Sequence, residues 1–219
     1  MKIGVAIPCF IKHIDKCLEL LDSIHNQTRL PDQVVVSCSS TKQGAFPEKH
    51  YNFPVKIITT EEQKNASENR NIAAKALETD IITFFDADDS MHNQRLEIIE
   101  RAFEMGADIV LHSFLFAYEC EHELPKIEQF DIRSNVLSQC RSGCITYDRI
   151  QRITHGHVSV THRIYQIVQF PEEPIYETRE DCVFCYCVFS IPDITSCYIA
   201  HPLTKYMPSG TCNSESGKP

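Results

Sequence analysis

The sequence predicts an α/β chain built on a mostly parallel central sheet flanked by helices. Three observations predict it. Short apolar runs rich in β-branched residues alternate with helical-period segments through the first half, the pattern of strand–helix–strand units. Residues 81–85, Ile-Ile-Thr-Phe-Phe, form a continuous apolar run, as in a strand buried on both faces. That run stops abruptly in Asp86-Ala87-Asp88-Asp89, which puts carboxylates at the sheet's carboxyl edge, where open α/β sheets bind ligands.

The elements follow in order. Residues 3–7 are an apolar strand stopped by Pro8. Cys17, Leu18, Leu20, Leu21 and Ile24 recur at helical spacing, so residues 15–26 form a helix. Arg29-Leu30-Pro31 breaks it, and residues 33–38, with their triple valine, are the next strand. Residues 39–54 are polar with Gly44, Pro47 and Pro54, a loop before a strand at 55–59. Residues 67–77 form a helix with Ala73, Ala74 and Ala76 facing inward. After the Asp-terminated strand come a helix at 95–105 and a strand at 109–118. Beyond this the pattern loosens. Residues 119–131 read as a charged loop, 132–140 fit neither period, 163–170 read as an edge strand and 180–189 as a helix. Residues 208–219, with Gly, Ser, Asn and two prolines, are expected to be disordered.

Composition narrows the function. An apolar fraction of 42% and a charged fraction of 23% are those of a soluble globular protein. A net charge of −9 argues against a broad nucleic-acid footprint while permitting a local basic pocket for a phosphate. No apolar stretch reaches the roughly 18 residues a membrane helix needs. The first residues enter a strand without a signal-peptide cleavage pattern. A cytoplasmic chain with reduced thiols is therefore expected. Cys182-x-x-Cys185-x-Cys187 and Cys140-x-x-x-Cys144, near His155 and His157, resemble fragments of a zinc site. No pair of CxxC hooks at finger spacing accompanies them, and the first set lies in an apolar helical run, so core packing is the favoured reading.

The aspartates point to a cation. Crowded carboxylates repel one another unless a cation lies between them. Hard oxygen ligands suit Mg²⁺ or Mn²⁺, which also hold substrate phosphates. The plainer alternative is a strand that ends in an Asp-rich helix cap.

With these features in order, the chain resembles a GT-A fold glycosyltransferase of the inverting family two. Four stretches carry the resemblance. Val5-Ala6-Ile7-Pro8-Cys9-Phe10 resembles the family's opening strand, which ends in Ile-Pro and an aromatic residue beside the nucleotide base. Asn65-Ala66-Ser67-Glu68-Asn69-Arg70-Asn71 resembles its Gly-x-Ser-x-Ala-Arg-Asn helix start. Phe84-Phe85-Asp86-Ala87-Asp88-Asp89 resembles its Asp-x-Asp metal motif, and Gln94-Arg95-Leu96-Glu97 the Arg-Leu that follows. Thr178-Arg179-Glu180-Asp181 resembles its Glu-Asp motif.

The resemblance implies a metal-dependent inverting glycosyltransferase. It would move a sugar from a nucleotide-diphosphate sugar, a UDP-sugar favoured, to a hydroxyl acceptor such as a glycan on a glycoprotein. It implies Asp88 as a direct ligand of Mn²⁺ or Mg²⁺, Asp86 on the metal or ribose, and His201 as the late histidine completing the metal site. Pro8, Phe10, Ser37, Arg70, Asp86 and Ala87 would bind the nucleotide-sugar. Asp181 would be the base, with Glu180 second, and His155 and His157 would lie on the acceptor side. Residues 1–205 would be one GT-A domain, with a nucleotide-sugar half at 1–118, an acceptor half at 119–205, and a flexible tail at 206–219. The compactness is similar to enzymes of large DNA viruses, which work in host-cell cytoplasm.

One departure stands out: Ser37-Cys38-Ser39-Ser40 replaces the family's Asp-Asp-Gly-Ser, so base recognition must differ. Two other functions compete. A sugar-1-phosphate nucleotidylyltransferase would carry a Gly-rich loop after the first strand, where this chain has Pro8-Cys9-Phe10-Ile11-Lys12-His13 without a glycine. A catalytically silent nucleotide-sugar-binding module would keep the fold without the turnover.

Overall fold

The computed structural model describes residues 1–148 and 151–207. Strand β1 (Ile3–Phe10) leads through a 3₁₀ turn into α1 (Ile14–His25), followed by β2 (Gln33–Ser39) and β3 (Val55–Thr60). Then come α2 (Ala66–Lys75), β4 (Ile81–Phe84), the short β5 (Ser90–Met91), α3 (Arg95–Glu104) and β6 (Ile109–Phe116). The second half holds β7 (Ile132–Ser134), a β8 (Ser138–Gln139) and β9 (Ile145–Thr146) hairpin, and β10 (Thr154–Thr161). It closes with α4 (His162–Ile167), α5 (Glu180–Phe189) and β11 (Ser196–Tyr206).

Nine of these strands form one mixed sheet, ordered β3-β2-β1-β4-β10-β6-β11-β5, with β7 also on β11. The first four are mutually parallel, as the alternating pattern predicted. Parallel strands buried on both faces need apolar residues at successive positions. Val34, Val35 and Val36 meet that demand with no exposure at all. Alternate residues then feed two cores. Val5 and Ile7 pack with Leu20, Leu21, Leu96 and Ile99 from α1 and α3. Ala6 packs with Ala73 and Ala74 of α2, Ile164 of α4, and Phe184 and Val188 of α5. Helices therefore cover both faces.

Gly4 is glycine because of a close approach. A Cβ there would lie 2.6 Å from Thr79 Oγ1 and 2.7 Å from Leu77 Cδ2. Overpacking of that kind costs about 1–3 kcal/mol. Gly4→Ala is expected to lower the urea midpoint accordingly; an unchanged midpoint would show that Leu77 repacks freely.

The second half departs from expectation in three places. Residues 154–161, to which the sequence pattern assigned no element, are β10, antiparallel between β4 and β6. Residues 163–170 are not an edge strand: α4 starts at Thr161, whose side chain accepts the Ile164 N–H. Strand β11, parallel to β6 with register shifts around Pro202, drew no sequence signal. Tyr206, placed in the expected tail, ends β11, and the Met207 N–H donates to Asp89 Oδ1 at 2.7 Å. The rest of that tail, 208–219, lies outside the described residues. Among the described residues no helix is long and apolar enough to cross a membrane.

Candidate active site

The carboxyl ends of β1 and β4, the start of α2, the bulged part of β10 and the start of α5 converge on one cavity of about 500 Å³. Pro8 and Phe10 enter its wall from β1, Asn69 and Arg70 from α2, and Asp86, Ala87 and Asp88 from the loop after β4. Gly156 and His157 come from β10, Glu180 and Asp181 from α5, and Tyr206 from the end of β11.

Arg70 organises the floor. Its helix begins with a capping box: Asn65 Oδ1 accepts the Glu68 N–H and Glu68 Oε2 accepts the Asn65 N–H. That fixes α2 so that Arg70, 4% exposed, donates to Asp86 Oδ1 and to Glu180 Oε1, both at 2.8 Å. Burial works against its charge, but Asp86 and then Glu180 outweigh it and raise the guanidinium above its ordinary value. Burial likewise pushes Asp86 up, yet Arg70 and His157 hold it well below the usual carboxylate range. Glu180 goes the other way: burial raises it despite Arg70. Asp86 is thus a fixed anion, and Glu180 is bound into the scaffold.

Behind Asp86 lies a second layer. His157 Nε2 sits 3.5 Å from Asp86 Oδ2 and 3.2 Å from Asp89 Oδ2, while Nδ1 lies 2.9 Å from Thr204 Oγ1. The ring stacks on Phe85, centroids 4.2 Å apart. Burial opposes charge on His157, but Asp86 and Asp89 win and raise it. Beneath it, fully buried Arg95 donates to Thr83 Oγ1, to the Phe84 carbonyl and to the His157 carbonyl. No carboxylate joins it in these bonds, and burial alone lowers it to about 9. Arg95 is the tie between β4 and β10 below the site.

Asp86, Asp89 and His157 could hold a metal ion. One ligand atom from each lies within 4.8 Å of the others. Asp89 Oδ2, almost fully buried, has His157 Nε2 as an ion-pair neighbour at 3.2 Å but no well-aligned hydrogen bond, which leaves it lone-pair capacity for a cation. Two carboxylate oxygens and one imidazole nitrogen are donors that a divalent cation takes. Asp88 faces the cavity beside them, its Oδ2 3.8 Å from His13 Nδ1.

Residues 4–168 match the family model described as Glycosyl transferase family 2. The chain belongs to glycosyl transferase family 2. A curated Haemophilus influenzae relative, described as an uncharacterized glycosyltransferase, is 30% identical over 90 residues, which are 41% of this chain and 31% of that protein. Among solved structures, S. aureus TarS 1–349 in complex with UDP superposes with a TM-score of 0.66 at 19% identity, covering 95% of this chain and 61% of that one. TarS 1–349 with UDP-GlcNAc gives 0.68 at 16% identity, covering all of this chain and 62% of that one. The chain thus spans about a third of the curated relative and about three-fifths of these structures, whose likeness is one of fold.

For a family 2 chain, the geometry gathers most of the residues singled out in the sequence. Pro8, Phe10, Arg70, Asp86, Ala87, Asp88, Glu180 and Asp181 share the cavity. The structure corrects four of these expectations. His201 is elsewhere: its Nε2 accepts the Asp131 N–H at 2.9 Å, and it lines a separate cavity with His92 and Pro125. His157, expected on the acceptor side, is 1% exposed beneath the aspartates, in the cluster that could hold a metal ion, where His201 was expected. His155 turns to the β9 backbone, its Nε2 3.1 Å from both N and O of Ile145. Ser37 is fully buried and spends its hydroxyl on Asn69 Oδ1 at 2.9 Å, so Asn69 reaches the cavity in its place.

Asn69 and Asp89 stand in the quoted motifs without a role of their own, and Tyr206 fell in the expected tail; the structure brings Asn69 and Tyr206 to the cavity wall and Asp89 beneath it. Tyr206 is raised by burial and then by Asp89, Asp86, Asp88 and Asp181, so its phenol lies in the field of all four carboxylates. On α5, Cys185 is buried in the core and the Cys182 sulfur lies 3.0 Å from that of Cys144.

Proposed function

We propose that the chain is a metal-dependent inverting glycosyltransferase that moves a sugar from a UDP-sugar to a hydroxyl of a glycan acceptor, such as one on a glycoprotein. One observation carries the reading: a single cavity joins Pro8 and Phe10, an Arg70-anchored Asp86, and Asp181. The UDP donor is supported by the TarS complexes with UDP and UDP-GlcNAc. Residues 1–205 are read as one catalytic domain, with the donor held chiefly by 1–118 and the acceptor by 119–205. A reducing compartment such as the cytoplasm suits the ten described cysteines, all free thiols.

Each residue then has a task. Phe10 offers a face to the base, and Asn69, its amide held by Ser37, Ser39 and the Lys64 carbonyl, keeps the wall beside it in place. Asp86, Asp88, Asp89 and His157 would hold Mn²⁺ or Mg²⁺, which when bound stabilises the negative charge that builds on the departing diphosphate. Arg70 keeps Asp86 ionised and aimed. Asp181 takes the proton of the acceptor hydroxyl as its oxygen attacks the sugar's anomeric carbon from the face opposite the leaving UDP.

A thermal-shift screen of UDP-sugars with and without Mn²⁺ tests this. A ligand at about 100 times its Kd adds roughly 2.7 kcal/mol of apparent stability. The expected result is a shift that needs both UDP-sugar and Mn²⁺ and that Asp88→Ala removes. No shift with any UDP-sugar would end the donor assignment, and an undiminished Mn²⁺-dependent shift in Asp88→Ala would move the ligand role to Asp89.

A further inference from the structure

The cavity opens onto a strip of aromatic rings that the donor does not need. Phe114 and Phe116 stand at alternate positions of β6, and Tyr206 is the β11 partner of Phe116. Phe116 meets Phe114 edge-on at 5.2 Å and Tyr206 edge-on at 5.7 Å. Tyr118, just past the strand, stacks on Phe116 at 5.2 Å with the rings 8° apart, and is 74% exposed. The Arg152 guanidinium lies over the Phe114 and Phe116 rings and pairs with Glu119. Tyr118 and Tyr206 are exposed, with Phe114 and Phe116 half-buried between and behind them; a contiguous aromatic strip bordered by charge marks a binding surface, unlike a single exposed ring.

We propose that this strip, running from Tyr206 at the cavity to Tyr118 outside it, is the platform for the acceptor saccharide. The inference rests on the glycosyltransferase reading and adds where the acceptor lies. Three observations select a sugar as the occupant. Tyr206 lines the cavity and belongs to the strip, so a chain of sugar units on the strip delivers its end hydroxyl toward Asp181. A cavity of about 500 Å³ accommodates one nucleotide-sugar, so the rest of an acceptor must lie outside it. The surface is itself amphipathic: the exposed Tyr118 ring, backed by Phe116, offers a flat face for the C–H face of a pyranose, with Arg152 and Glu119 at the rim for its hydroxyls. The chain's own residues 208–219 contain no large apolar side chain to lie on these rings.

Saturation-transfer NMR on the full chain provides the test, with the methyl β-glycosides of glucose, galactose and N-acetylglucosamine and their disaccharides as probes. Signals are expected at ring C–H protons, with Tyr118→Ala and Tyr118→Leu weakening binding about tenfold and Tyr118→Trp keeping it. UDP affinity, followed by calorimetry, should be the same in all three variants. No saccharide signal, a signal unchanged in Tyr118→Ala, or saccharide displaced by UDP would each overturn the proposal. If UDP fails to bind while saccharide binding still depends on Tyr118, the platform stands and the donor assignment falls alone.

Discussion

Replacing Arg70 with methionine is expected to cost the fold about 3 kcal/mol at neutral pH and most of its donor affinity. Removing one partner of a buried ion pair costs about 3–5 kcal/mol, because the other charge stays desolvated. Here one guanidinium serves two carboxylates. The lower end applies because the Asp86 side chain keeps 26% exposure and water can partly replace its partner. The sign with pH follows from the same groups. In the intact protein Asp86 is held below its ordinary value, so its contribution is present above the unfolded value near 4 and is lost as the pH falls through the folded one. Without Arg70, burial raises Glu180 further, while on Asp86 it is opposed by His157 alone. A raised carboxyl favours the native state only below its unfolded value. The gap between wild type and Arg70→Met should therefore be widest near pH 7, narrow as the raised Glu180 takes up its proton, and close only below about 4, as the pH falls toward the folded value of Asp86. Urea midpoints followed from pH 7.5 to below 4 would show it, and a gap independent of pH would assign the loss to packing against the Phe170 ring.

The same arrangement explains what could be read from the chain. Strand β4 was legible because a strand buried on both faces is apolar at every position, and the sheet edge makes the following aspartates converge. Arg70 and Asp181 were legible only within motifs, since nothing in their local pattern separates them from surface charges. Strand β10 was hidden because its Thr-His-Gly-His-Val-Ser-Val-Thr composition looks like a loop, although residues 156–160 are buried. Its polar groups are satisfied by partners distant in sequence: Ser159 Oγ donates to Thr83 Oγ1, and Arg95 donates to the His157 carbonyl. Choosing between His157 and His201 required two register shifts, one in β10 and one around Pro202 in β11. A bulge changes which face a residue meets, and no spacing rule reports it in advance. Ile164, Tyr165, Ile167 and Val168 fit a β-favouring run as well as a helix, and the Thr161 cap decided for the helix.

Asp181→Asn is expected to lower sugar transfer by about 10³-fold while leaving UDP affinity within twofold of wild type. A positioned general base contributes roughly 10²–10⁴. The substitution removes the acceptor for the proton and little else. Asp181 Oδ1 accepts the Cys182 N–H at 2.7 Å, a bond an asparagine oxygen makes equally well, so the first turn of α5 keeps that hydrogen bond. The other oxygen is 3.6 Å from where a Cβ on Gly156 would stand, a point also 3.4 Å from Arg70 Nη2 and Asp86 Oδ2. That glycine therefore leaves open the space where acceptor and donor must meet. Glu180 is the control. It is tied to Arg70 at 2.8 Å, and so Glu180→Gln should act through the floor of the site, weakening UDP binding and stability together. If Asp181→Asn turned over within tenfold of wild type while Glu180→Gln abolished transfer with UDP binding intact, the base would be Glu180. Arg70 would then be the group that sets the protonation of that base rather than the anchor of the donor.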